Sequence, residues 1–239
     1  EFIKNKDEMK EILLAKDFEC LNALNYSAKM IQSEEKQAHF CPFLFFKIYC
    51  KHLHLEEFIY EKDTEGNNII HVLIMYDLVP LNKLFLTQIK TELPVEKFKE
   101  FLRSKNNAQQ NLLHLITAIN GSNIINTIIN LVFLKNEIKK TLEPHEVKEM
   151  LMEKDEKGFI VLHLFIKYFD YKEFKKNILS FYFEFFSLEK INSLIEGMKE
   201  NKYEFCIENV NSMCEYVEKI HQKSLETEEI DISSLFEEL

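Results

Sequence analysis

Histidines and cysteines are the residues of this chain best suited to metal or acid–base chemistry, and two arrangements of them stand out. The denser is His39, Cys41, Cys50, His52 and His54 in "HFCPFLFFKIYCKHLH". Zinc takes four Cys or His ligands, often as close pairs joined by a short element, and Cys50 and His54, four residues apart, would share a helix face. Against this, CxxC and HxxxH are absent and the intervening "PFLFFKIY" reads as a buried helix. The expectation is core cysteines and surface histidines, with no metal or cofactor; a zinc module is the lesser alternative. The second arrangement is periodic. His71 in "GNNIIHVLI", His114 in "QQNLLHLIT" and His163 in "GFIVLHLFI" each follow an apolar pair. No catalytic residue is expected. GxSxG is missing, the cysteines lack a distinctive setting, and four scattered glycines cannot form a phosphate loop or dinucleotide fingerprint.

The periodic histidines belong to a longer repeat, sought before any motif is read. Each lies eight residues after an Asp or Asn that follows a Lys: Asp63, Asn106 and Asp155. Asp17 heads an earlier unit, with Leu24 in the apolar place and Asn25 in that of the His. The four starts are 46, 43 and 49 residues apart, and a degenerate fifth copy begins near Glu200. Apolar residues at three- and four-residue spacing predict helices through "PLNKLFLTQIKTEL" and "NIINTIINLVFLKNEIKKTL". Pro94 and Pro144 each open a further helical segment, where a missing N–H costs nothing. Each unit is thus a short loop, a helix through the His, a longer helix and a third helix. Sustained two-residue alternation is absent, so the fold class is all-α.

This pattern resembles the ankyrin repeat, whose unit opens with Asp-x-x-Gly and reaches Leu-His at the same offset. Asp63, Gly66, Ile70 and His71 match it, as do Asp155, Gly158, Leu162 and His163; Asn106, Leu113 and His114 match with Gln109 in place of Gly. The first unit matches only at Asp17, Leu24 and Ala28. The family's Thr-Pro is missing, and the units exceed its ~33 residues, which leaves room for the third helix. The resemblance implies a helical-repeat solenoid over residues 1–190; the residues beyond it read as capping helices over 191–224 and an acidic tail over 225–239. It implies that Asp63, Gly66, His71, Asn106, His114, Asp155, Gly158 and His163 are structural, each His bonding backbone near a turn. It also implies a partner-binding face made of turn tips and first helices. Carried over by register, that face is Thr64, Glu65, Asn67, Met75 and Tyr76, then Asn107, Ala108, Gln110, Ala118 and Ile119, then Glu156, Lys157, Phe159, Lys167 and Tyr168.

Bulk composition narrows the partner. With 30 basic and 40 acidic residues the net charge is -10 and no basic stripe appears, so nucleic acid is not expected and a basic or neutral protein is. Five cysteines, an odd number, point to reduced thiols inside a cell, in cytoplasm or nucleus. No apolar run reaches the ~18 residues of a membrane span. The expected function is a non-catalytic intracellular protein–protein interaction scaffold. The alternative is a structural segment of a larger protein, such as a host-directed effector of an intracellular microbe acting in the host cell, for which the opening Glu1 leaves room. "ILSFYFEFF" (178–186) reads as a core helix, and the tail, with Ile230, Ile232, Leu235 and Phe236, as a docked or marginal helix.

Overall fold

Helical spacing in the sequence becomes helix in the computed structural model, which describes residues 6–30, 42–76, 79–118, 124–168, 172–199 and 207–226. Among these there are thirteen α-helices, one 3-10 turn and no strand. They are α1 (Lys6–Leu14), α2 (Ala23–Met30), α3 (Pro42–His52), α4 (Ile69–Met75), α5 (Val79–Glu92), α6 (Val95–Leu102), α7 (Leu112–Ala118), α8 (Ile124–Thr141), α9 (Pro144–Met152), α10 (Val161–Tyr168), α11 (Lys172–Phe183), α12 (Leu188–Lys199) and α13 (Ile207–Glu226). The amphipathic ones bury one stripe each: Phe98, Phe101 and Leu102 on α6; Val147, Met150 and Leu151 on α9; Val210, Met213, Val217 and Ile220 on α13. Helix α10 buries Val161, Leu162, Leu164, Phe165 and Ile166, as an element inside a core must.

The prolines differ in detail. Pro144 is the first residue of α9, where Glu146 folds back to accept the Glu143 N–H at 2.9 Å. Pro94 stands one step earlier than expected, as the extended N-cap of α6 (ψ 144°), because a ψ so far from helical values places it outside the first turn.

The chain divides into two compact units, 1–141 and 142–239. The expected array over 1–190 therefore runs across this division, and the boundary expected near 190 falls inside α12. In the first unit α2 packs on α4 and α4 on α7, while α3 packs on α5 and α5 on α8. Helix α6 lies against α5 and α8, and α1 against α3. Phe46, Phe58 and Phe85 meet in its core, Phe46 and Phe85 with ring centroids 4.1 Å apart. In the second unit α13 packs on α10 and α12, α11 on α12, and α9 on α10. Within 178–186, helix α11 takes the residues to Phe183, burying Ile178, Leu179, Phe181 and Tyr182, and a turn follows. The opening of the fifth copy (200–206) and tail residues 227–239 lie outside the described residues; Ile207 and Glu208, in the Leu-His place of that copy, begin α13, and the tail's first two residues end it.

One device appears in both units. Tyr182 of α11 donates its O–H to Leu151 C=O (2.9 Å) and accepts the Leu162 N–H (3.1 Å), tying the end of α9 to the start of α10. Tyr49 of α3 does the same between α1 and α2, donating to Leu13 C=O and accepting backbone N–H bonds from Leu24 and Ala23. Burial pushes the Tyr49 phenol up to about 12 and the Tyr182 phenol higher still, so both stay neutral donors.

Candidate functional site

Four turns of one shape carry the candidate residues. Asp17, Asp63, Asn106 and Asp155 each donate their N–H to the carbonyl four residues on: Leu21 (3.1 Å), Asn67 (3.0 Å), Gln110 (3.1 Å) and Phe159 (2.9 Å). Each accepts at its own carbonyl the N–H three residues on, from Cys20, Gly66, Gln109 and Gly158. Each side-chain oxygen also accepts the N–H four residues on, at 2.8–2.9 Å. The three aspartates add the N–H two residues on. A short polar side chain is required, since only Asp or Asn reaches these donors without a longer loop. The chain then turns through left-handed backbone at Cys20 (φ 59°), Gly66 (80°), Gln109 (59°) and Gly158 (84°).

The histidines brace the helices that follow. His71 donates its N–H to Asn68 Oδ1 (3.2 Å), and its Nδ1 accepts the Asn68 N–H (3.1 Å), a reciprocal cap on α4. With Nδ1 accepting, Nε2 carries the proton and donates to Ser104 C=O at 3.2 Å. The ring is fully buried, and that burial lowers its pKa to about 4. His114 is also buried and repeats the cap with Asn111, its N–H donating to Asn111 Oδ1 at 3.1 Å. His163 is half-buried and bonds the Leu194 backbone; burial, with Lys154 nearby, lowers it too to about 4. The His71 and His163 rings are neutral and bonded to backbone, while His114 Nδ1 lies 2.7 Å from the Asn111 side-chain oxygen. In the first unit Asn25 takes the His place, buried, its N–H bonded to Asn22 Oδ1 at 3.0 Å.

Where the first two turns meet, Thr64, Glu65, Asn67, Met75 and Tyr76 line one cavity of about 140 Å³ with Glu19, Leu21, Lys29, Asp63 and Val72. Its charge is lopsided: three carboxylates face one ammonium, and Lys29 is ion-paired with Glu19. Burial, then Glu65, Glu19 and Asp63, push the Tyr76 phenol up, with Lys29 opposing. Thr64 and Glu65 are exposed, and Met75 and Tyr76 half-buried.

Two expected contact residues are corrected. Asn67 is 1% exposed: its amide donates to Asp63 Oδ2 (3.1 Å) and its oxygen accepts from Asn106 Nδ2 (3.1 Å), so it joins neighbouring turns instead of meeting solvent. Phe159 is 5% exposed, edge-on to His163, with the Lys167 ammonium 4.9 Å from its ring centroid. Apolar burial wins there over display. Other assigned residues serve the turns. Asn107 donates from Nδ2 to Thr64 C=O (3.0 Å), and Gln110 accepts from Asn106 Nδ2 (3.2 Å); Ala108 is part-buried. Glu156 and Lys157 are exposed at the fourth turn tip, and Tyr168 is 40% exposed with Lys167 near its ring. Ile119 and the Ala118 side chain lie outside the described residues.

Metal binding finds no seat among the described residues, where no group of three or more His, Cys, Asp or Glu is placed to hold an ion. Burial, then Glu92, push the Cys50 thiol up to about 11, away from the thiolate a metal requires. His54 is exposed, and His39, Cys41 and the His52 side chain lie outside the described residues. Cys20, Cys50 and Cys214 are free thiols. No described helix is long and apolar enough to cross a membrane.

The cavity residues that sequence reasoning missed are Val72 and, from the first turn and α2, Glu19, Leu21 and Lys29. Glu19 holds in the first turn the place of Glu65 in the second, and Lys29 that of Met75. Extending the register to Asp17 would have found Glu19, Leu21 and Lys29. Comparison of the chain with protein-family models, curated proteins and solved structures gave no match.

Proposed function

We propose that this protein is a non-catalytic interaction scaffold. Its helices form an ankyrin-like solenoid, each unit enlarged by a third helix, and it holds a protein partner on its turn tips and first helices. The observation that carries this reading is the convergence of Thr64, Glu65, Met75 and Tyr76 on one cleft with Glu19 and Lys29. Support for the solenoid comes from the first unit, where α2, α4 and α7 pack in sequence, as do α3, α5 and α8. Support for a binding role over catalysis comes from His71, whose two ring nitrogens are both engaged with backbone. The cleft's carboxylates favour a basic segment in the partner.

Quantitative affinity capture tests this, comparing the chain with Thr64→Arg and Tyr76→Glu after circular dichroism shows both variants folded. Thr64 is exposed, so its replacement leaves the core intact. A partner whose affinity falls roughly tenfold or more, about 1.4 kcal/mol, in both variants supports the cleft. Undiminished capture by both places binding elsewhere and overturns the assignment.

A further inference from the structure

The first unit sorts its charges by layer. Helices α3, α5 and α8, packed side by side in that order, hold seven lysines against two glutamates, in a chain whose net charge is -10. Lys47, Lys51, Lys83, Lys90, Lys139 and Lys140 are exposed. Of the two acids, Glu137 is held by Lys90 at 2.8 Å and lies 3.9 Å from Lys140, and Glu92 accepts from Gln88. Helix α6, against α5 and α8, is balanced by its own pairs, Lys97 with Glu100 and Lys99 with Glu96. The excess ends at α1, which packs on α3 and brings Asp7, Glu8 and Glu11. The turns carry the other sign, with Glu19, Asp63 and Glu65 around one cleft. These lysines are scattered from residue 47 to residue 140, so the basic face is assembled by folding and no stripe shows in the string.

The same layer shows aliphatic side chains to water. They are Leu44 (57% exposed) on α3, Leu84 (45%) on α5, and Ile129 (47%) and Val132 (37%) on α8. They share helix faces with the lysines. Lys47 and Lys51 lie three and seven residues after Leu44, and Lys139 and Lys140 seven and eight after Val132, spacings that return to one side of a helix. Leu84 adjoins Lys83. The opposite stripes, with Phe46, Phe85 and Ile138, are buried in the core.

We propose that the outer stripes of α3, α5 and α8 seat the protein on an anionic membrane surface. Lipid headgroups present diffuse negative charge that draws clustered lysines. The boundary just beneath takes up Leu44, Leu84, Ile129 and Val132, while lysine stems reach back to the phosphates. Side-chain chemistry selects this occupant. A nucleic acid favours arginine forks and exposed rings to stack its bases. The three helices hold no arginine, and their exposed large apolar residues are all aliphatic. A protein interface is depleted of lysine and anchored by aromatic residues or arginine, so an acidic protein fits this face less well. The seat lies along the bilayer and asks no helix to cross it. It makes no use of the turn cleft, so either reading can fail without the other.

Co-sedimentation of the full chain with vesicles is the test, using phosphatidylcholine alone and phosphatidylcholine with about one-third phosphatidylserine. Binding should require the serine lipid and fall about tenfold or more as salt rises from about 0.1 M to about 1 M. Two variants, checked for folding by circular dichroism, separate the contributions. One carries Lys83→Gln, Lys139→Gln and Lys140→Gln; the other carries Leu84→Gln and Ile129→Gln. Each should weaken binding to the serine-lipid vesicles by about tenfold or more. If the aliphatic pair unfolds the chain, Leu44→Gln, at the most exposed of the four, takes its place. A wild-type chain that stays in the supernatant overturns the proposal, and its binding soluble poly-glutamate instead would give the face to an acidic protein. Equal binding to phosphatidylcholine alone, or undiminished binding by the lysine variant, overturns it as well. Undiminished binding by a folded aliphatic variant removes the insertion of side chains and with it the seat.

Discussion

At the scale of single residues, the decisive quantity is what each side chain meets once the chain is folded. His71 is buried and neutral with a pKa near 4, against an ordinary value of 6.5. Between those values the unfolded chain binds a proton that the folded chain refuses, so stability rises with pH there. The contribution is complete above pH 6.5 and is lost as pH falls toward 4. About 2 kcal/mol should disappear between pH 7 and pH 5 from this residue alone. Urea denaturation at the two pH values measures it, and His71→Gln should flatten the slope. The turn glycines separate two costs that usually travel together. Gly66→Ala meets both left-handed strain and the Asn107 backbone nitrogen, 2.6 Å from where its Cβ would stand, and should lose ~3 kcal/mol or more. Gly158→Ala meets the strain alone, at about 1 kcal/mol. Gln109→Gly should gain roughly 1 kcal/mol by removing a side chain from φ 59°. Thermal melts of the three variants would rank them; equal losses for the two alanines would refute the close approach of Asn107.

Elements follow from periodicity, and here the sequence was most legible. Phe98, Phe101 and Leu102 specify the buried face of α6 as clearly in the string as in the structure. The left-handed turns were half legible: Gly66 and Gly158 announce themselves, whereas Cys20 and Gln109 adopt the same backbone without a glycine to signal it. The cleft was legible on one side only, since Glu19 and Lys29 sit in a unit whose Asn25 replaces the marker His. Burial of Asn67 and Phe159 was not legible, because it depends on Asn106 and Lys167, which come from other elements. The tyrosine braces were missed because Tyr182 is 20 and 31 residues from its two partners. They give a test at this scale. Tyr182→Phe leaves the Leu162 N–H and Leu151 C=O unpaired in a dry core and should cost about 1–3 kcal/mol. Tyr49→Phe should cost the same between α1 and α2. Denaturant midpoints without a change in slope would confirm both, whereas a neutral effect would mean that water reaches the freed groups.

Across the whole molecule, division into two compact units sets how damage spreads. Proteins open locally in cooperative units, so a lesion is felt first in the compact unit where it lies. Tyr182→Phe should therefore quicken amide hydrogen exchange in α9, α10 and α11 while α4 and α7 keep their protection. Uniform acceleration through both sets would show a single cooperative body. The four turns carry a consequence of another kind. Cys20, Gly66, Gln109 and Gly158 hold one backbone shape with three residue types among them. What recurs along this chain is a torsion angle, and the identity of the residue that adopts it is free to drift. Likeness stored in angles is largely silent in a string of letters, so two chains of this build could share every turn and still align poorly.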